Sequence, residues 1–450
     1  MRKLKNILFI ITILCVTAVS CTKESIHKDG FSTVPSNGKN DNPRTEAAEK
    51  RNVLLLYSAG YNSLTSYLRE DIADLQEGWL PGAGRNENIL LIYSHLTSKS
   101  GDYSTPSQPT LTRIYKDYDG QTVRDTLVFY PEDTHSATAE HLREVLSYVN
   151  QTFPAKSYGM IFSSHATGYL PSGYYTNPKG YVYQDKGSMS HRIGAAARRT
   201  QPVPYVEPEY DPSLPAVKSI GQDQVGTYGN YLSYEIELDD FAKALPMKME
   251  YILFDACLMG GVEVAYEFKD KCHFVGFSQT EVLAEGFDYR SLTSHLLGSP
   301  TPDPQSVCQD YFNQYITQSG VYQSATISMI DCTMMESLAS SCKTLFAKYR
   351  EEISALNASG VQRYYRSNYH WFFDLYDIVA KAGASAEELQ QLQEALNKCV
   401  AYKAATPGFM GSFKILTYSG LSMYLPSCGS TELDKYYRTL EWNKATSLVE

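Results

Sequence analysis

The chain reads as an α/β protein built on a mostly parallel sheet with helices on both faces. Three observations predict this. Apolar runs of four to six residues, the mark of strands buried on both sides, recur between Val53 and Phe277. Amphipathic stretches with helical spacing separate them, an alternation that gives parallel sheets. Two of the runs stop abruptly at small and polar residues. That is how a central parallel strand looks at its carboxyl end, where open α/β sheets place their chemistry.

Taken in order, Val53–Tyr57 is the first strand, followed by a turn through Ser58-Ala59-Gly60-Tyr61-Asn62. Leu64, Leu68, Ile72 and Leu75 share one face of a helix. Ile89–Tyr93 and Leu127–Tyr130 are the next strands, and Leu142, Val145, Leu146 and Val149 mark a helix over Thr138–Thr152. Tyr158–Phe162 is a strand that ends in Ser163-Ser164-His165. From about Ala166 to Val225 the chain is dense in Gly, Pro, Tyr and Ser and has no periodicity. A segment of that length within a compact domain is functional or mobile. The tyrosines between Tyr169 and Tyr183 pack this loop or line a cleft. A helix resumes over Tyr234–Leu245, with Glu235, Glu237, Asp239 and Asp240 near its start as the helix dipole favours. The Tyr251–Phe254 strand runs through Asp255-Ala256-Cys257 into a helix over Gly261–Phe268, and Phe274–Phe277 is another buried strand. The remainder reads as helical over 304–319, 334–357, 371–382 and 386–404, with strand-like runs at Ala325–Ile330 and Phe413–Leu425.

The amino terminus stands outside this pattern. Arg2, Lys3 and Lys5 precede an apolar stretch from Ile7 to Ala18, too short for a comfortable membrane span. It ends in Ala18-Val19-Ser20-Cys21, which is similar to a bacterial lipobox; the plain alternative is an ordinary signal peptide with an incidental cysteine. The expectation is a leader over 1–20, lipidation of Cys21, and a protein held at the bacterial cell envelope, on the periplasmic or surface face of the outer membrane. Residues 21–50 are polar and form a flexible tether. The net charge of −10 without a long basic run argues against nucleic acid as a partner. Beyond Cys15 and Cys21 seven cysteines remain, an odd number with no CxxC spacing, which invites a reactive thiol or simply buried apolar cysteines.

Cys257 lies at a strand-to-helix junction, where backbone amides lower a thiol pKa and donate to an oxyanion. His165 ends the candidate neighbouring strand and supplies the base such a thiol needs. The plain alternative is a buried structural cysteine and a surface histidine. No GxSxG, GxGxxG, HExxH or P-loop spacing offers another chemistry, and His141-Leu142-Arg143-Glu144 reads as a solvated helix surface.

The stretches Tyr158–His165 and Ile252–Glu267 resemble the histidine and cysteine motifs of the clostripain-like (C11) cysteine peptidases. The opening strand with Asn62-Ser63-Leu64, the Gly276–Glu281 strand and Gly420–Pro426 near Tyr437 and Trp442 fit as well, so the resemblance spans about 51 to 445. It implies a caspase-like three-layer α/β/α sandwich, with a catalytic core over 51–300 that includes a long 166–250 insertion. A helical C-terminal part over 301–450, with closing strands, would pack on that core.

It also implies a cysteine endopeptidase that cleaves after Arg or Lys, with Cys257 as nucleophile, His165 as general acid/base and no third orienting residue. The amides of Cys257 and of residue 166 would form the oxyanion hole. Relatives carry glycine after the histidine and this chain has Ala166, which tolerates a left-handed backbone poorly and puts that donor in doubt. An acidic S1 pocket follows from the resemblance: Asp255 matches one carboxylate, with a helix cap as its plain alternative. Glu285, then Glu281, are the expected second acid. Self-cleavage between histidine and cysteine is implied too, with Arg198 or Arg199 as the expected site; the alternative is a surface loop with solvated basic residues. No cofactor is required, although some relatives respond to calcium and Glu207–Asp211 is an acidic loop. The expected partners are protein or peptide substrates, with the membrane reached through the lipid alone and the protein a monomer. Rival readings are a catalytically silent peptide- or partner-binding member and a peptidase with another specificity.

Overall fold

A computed structural model describes residues 50–84, 87–99, 102–184, 200–204, 213–218, 223–227, 230–367 and 370–450. The leader, Cys21, Arg198, Arg199 and Glu207–Asp211 lie outside them.

The strands are β1 (Asn52–Gly60), β2 (Ile89–Lys99), β3 (Asp102–Pro106), β4 (Thr110–Lys116), β5 (Thr122–Phe129), β6 (Ser157–Ser163), β7 (Val203–Pro204), β8 (Asp223–Thr227), β9 (Asn230–Tyr234), β10 (Met249–Asp255), β11 (Cys272–Phe277), β12 (Thr326–Asp331), β13 (Phe373–Asp374) and β14 (Val400–Ala405). The central sheet runs in the order β14-β12-β11-β10-β6-β1-β2-β4-β5, with β3 on β2. Neighbours from β11 to β2 are parallel, and the outer strands on both sides are antiparallel. All nine residues of β1 are buried, as a strand covered on both faces requires.

Three helices pack together on one face: α1 (Thr65–Glu77), then, past α2 (Ala139–Thr152), α3 (Leu238–Ala244) and α4 (Val262–Glu267), α5 (Tyr289–Leu297) and α6 (Pro304–Ile316). The second of these groups, α2 to α4, lies on the other face with α7 (Met335–Lys348) and, past α8 (Arg350–Ser354), α9 (Leu375–Lys381), α10 (Ala386–Cys399) and α11 (Thr431–Tyr437), with α12 (Glu441–Thr446). The predicted layering of helices on both faces of a mostly parallel sheet is therefore present. Helix starts follow side-chain chemistry: Thr138, Asp288, Asp303 before Pro304, and Ser385 in a capping box with Glu388 each accept a backbone N–H.

Several elements depart from the expectation. Leu127–Tyr130 is the tail of an antiparallel edge strand rather than a third parallel strand, because a β4–β5 hairpin with mixed polar and apolar residues precedes it. The 301–450 part is less a helical addition than a partner in the sheet, since β12 and β14 extend it. The helix expected over 386–404 stops at Cys399, where β-branched Val400 begins β14. Phe413–Leu425 holds two short pieces, Phe413–Lys414 and Ser422–Met423, instead of one strand. The 166–250 insertion contains the small β7-β9-β8 sheet and α3.

The topology places the chemistry. From β1 the chain passes to β2 on one side, whereas β6, β10 and β11 build out on the other. The β1/β6 junction is thus the point where strand order reverses, and ligands of open α/β sheets bind beyond the strand ends at such points.

Candidate active site

In the β6–β10 ladder Phe162 pairs with Phe254 and Ser163 with Asp255. His165 and Cys257 each stand two residues beyond that last pair, at equivalent positions past the carboxyl ends of adjacent strands. Side chains alternate along each strand. Phe162 and Phe254 pack against Phe241 of α3 on one face, which leaves Ser163 and Asp255 to the opposite face, toward α1 and α5.

The backbone past β10 is unusual. Leu258 has φ +61°, a left-handed value that costs a branched side chain energy and marks a functional turn. Leu258 N–H bonds to Thr280 O and Gly260 N–H to Ser278 O, which fixes the turn against the segment after β11. The Cys257 thiol is buried there and accepts from Val282 N–H at 3.0 Å. Gly168 ties the histidine loop to this turn: its φ is +63°, and a Cβ there would stand 2.4 Å from the Leu258 carbonyl oxygen. Ala166 does not have a positive φ, so the left-handed position of this loop falls on Gly168.

The site is occupied by the chain's own Lys218. Val217 bridges antiparallel to Leu283, Lys218 N–H bonds to Val282 O at 2.9 Å, and Ala284 N–H bonds to Ala216 O at 2.9 Å. Residues 216–218 thus add to 282–284 as a short strand, as peptides add to open sheet edges. The Lys218 carbonyl accepts from Cys257 N–H at 3.3 Å and faces the His165 ring. Its ammonium is fully buried and bonds to Asp255, to Asp71 Oδ2 at 3.3 Å and to Ser163 Oγ at 3.3 Å. Tyr289 and Ser163 also donate to Asp255 Oδ2, at 2.7 and 3.1 Å. Gly286, at φ +62°, closes the pocket: a Cβ there would stand 2.5 Å from Asp255 Oδ2 and 2.7 Å from Lys218 Nζ.

Burial opposes the Lys218 charge, but Asp255 and Asp71 together outweigh it and hold the ammonium above its usual pKa. Burial also pushes Asp71 up to about 8 against the pull of Lys218. His165 is driven down to about 3 by burial, with the Lys218 carbonyl favouring and its ammonium opposing the protonated ring. Buried ion clusters contribute little net stability, so a lysine sealed between two carboxylates marks a pocket shaped for a cation. Beside His165, a cavity of about 60 Å³ lined by Phe162, Ala166, Ile236, Phe241 and Phe254 is far smaller than ligand sites, which run to roughly 300–1,000 Å³.

The structure separates the expected acids. Asp255 meets the lysine. Glu281 instead binds Arg366 Nε through both oxygens, at 3.0 and 2.9 Å. Glu285, next to the turn at Gly286, is exposed. The second carboxylate at Lys218 is Asp71 of α1. Sequence reasoning missed Asp71 and Lys218, yet both left signals. Asp71 falls on the apolar stripe of α1 between Leu68 and Leu75, and Lys218 stands in the Ala216-Val217-Lys218-Ser219 run between the histidine and cysteine islands.

The sequence model of the clostripain family (Peptidase C11) matches residues 56–194 and 208–448. An inactive zymogen C11 protease from Parabacteroides distasonis superposes with TM-score 0.66 at 26% identity, covering 92% of this chain and 99% of that one. The secreted C11 cysteine protease iotapain from Bacteroides thetaiotaomicron gives TM-score 0.66 at 23% identity, over 88% of this chain and 99% of that one, which speaks to the fold. Comparison with curated protein sequences gave no match.

Proposed function

The chain belongs to the clostripain family of cysteine peptidases, and from that premise we propose a peptidase zymogen that cleaves after basic residues through Cys257 and His165 and activates itself by cleavage after Lys218. The observation that carries this reading is the seating of Lys218. Its side chain fills an acidic pocket, its flanks pair as a strand, and its carbonyl meets the Cys257 amide where an oxyanion would form. A P1 residue sits in this way. The relative from P. distasonis is itself an inactive zymogen, the state assigned here.

In the reaction the Cys257 thiol gives its proton to His165 and the sulfur attacks the Lys218 carbonyl carbon. The C–N bond then breaks as His165 passes that proton to the leaving amine. Water activated by the freed imidazole hydrolyses the acyl-thioester, and departure of the new carboxyl terminus opens the pocket to other basic substrates. Lys218 takes the place expected for Arg198 or Arg199. We read residues 1–20 as a lipoprotein leader and Cys21 as the lipidated residue that anchors the enzyme at the cell envelope, invoke no cofactor, and take protein or peptide segments as substrates.

The test compares wild type with Cys257→Ala on reporter peptides ending in Lys, Arg or Asn, before and after limited Lys-specific proteolysis. The reading expects turnover of basic reporters by wild type and none by the variant. No turnover in any arm favours a silent peptide-binding protein, and turnover of the Asn reporter alone another specificity.

A further inference from the structure

We propose that Ser63 is the positioning residue of His165, fixing the tautomer and tilt of its ring from across the β1/β6 junction; the proposal rests on the catalytic reading of His165. Ser63 Oγ lies 3.0 Å from His165 Nε2. The other ring nitrogen, Nδ1, is buried and has no well-formed hydrogen bond, although the Lys218 carbonyl faces the ring while the chain is uncut. His165 as a whole is 5% exposed, so water has little access to it.

The turn that presents Ser63 is held firmly. Buried Asn62 donates through Nδ2 to Ala59 O at 3.2 Å and accepts Leu64 N–H at 2.9 Å, an Asx turn. Thr65 N–H bonds to Asn62 O at 3.2 Å. Ser164 Oγ donates to Ala59 O at 2.7 Å, which ties the residue before the histidine to the same stretch of β1. Ser63 is exposed on one side, but its backbone and the histidine loop share one anchor.

The two ring nitrogens therefore divide the work. With Ser63 accepting from Nε2–H, the lone pair sits on Nδ1, the nitrogen left free to take the thiol proton. Once that proton arrives, both nitrogens are donors: Nε2–H stays on Ser63 while Nδ1–H turns to the leaving amine. Which nitrogen carries the proton is set by the bond the other makes.

Two measurements test this. In ¹⁵N-histidine-labelled Cys257→Ala protein, with His165→Gln to identify the signal, the expected state is the Nε2–H tautomer, and adding Ser63→Ala converts it to a mixture. An unchanged His165 signal overturns the proposal, and this arm reads out even if no reporter is cleaved, an outcome that would instead sink the peptidase reading. In the processed enzyme, Ser63→Ala is expected to lower kcat about tenfold, the size of one lost hydrogen bond. KM should hold within about twofold, the acid limb of the pH–rate profile should move, and Ser63→Thr should restore both. A change in KM alone, with the pH profile fixed, contradicts it.

Discussion

At the scale of single residues, the decisive pair is Asp71 and Asp255, which reach one ammonium from different elements. A carboxylate bonded to a buried charge is worth about 1.5–3 kcal/mol. Asp71→Asn is accordingly expected to lower kcat/KM for Lys reporters by roughly ten- to a hundredfold. Glu285→Gln, on an exposed side chain, is expected to change it less than about twofold; the reverse ranking in steady-state assays would return the second carboxylate to Glu285. Cys257 stood out in the sequence because an apolar run breaking into small and polar residues is a local pattern, whereas the pocket role of Asp255 came from the family resemblance. Asp71 was hidden for a physical reason. An acid on a helix's apolar face is costly unless something charged meets it, and that partner lies 147 residues away.

At the scale of elements, the cysteine turn and the histidine loop hold each other through Gly168 and Leu258. Gly168→Ala would add a Cβ at positive φ against the Leu258 carbonyl. A left-handed alanine alone costs roughly 1–2 kcal/mol. The melting midpoint should fall and turnover drop with it, since the shifted turn carries the Cys257 amide; equal midpoints by calorimetry would show the contact to be slack. Parallel strands and most helices were readable from periodicity, because burial on both faces or along one stripe leaves a regular record in the chain. Of the β3–β5 edge only the tail of β5 was, and the small β7-β9-β8 sheet was not. Their strands are mixed in polarity, and pairing partners decide them more than their own residues do.

At the scale of the whole molecule, burial sets the response to acid. His95 and His165 are both pushed down to about 3 by burial. Between about pH 6.5 and 3 the unfolded chain binds protons that these native rings refuse, so stability is lost as pH falls through that window. Replacing His95, which bonds Ser136, should shrink the fall in melting midpoint between pH 7 and pH 4; His95→Gln melting with the wild-type pH dependence would contradict that assignment. The proposed self-inhibition would likewise be a property of the whole fold, because Lys218, α1, α5, β6 and β10 must all be in place for the pocket to be filled. The most direct test of that claim is terminal sequencing and intact mass of the purified wild-type chain beside Cys257→Ala and Lys218→Gln. A new amino terminus at Ser219 is expected in wild type, and intact chains in both variants. A wild-type chain cut after Arg198 or Arg199 with the Lys218–Ser219 bond whole, or Lys218→Gln processed like wild type, would contradict it.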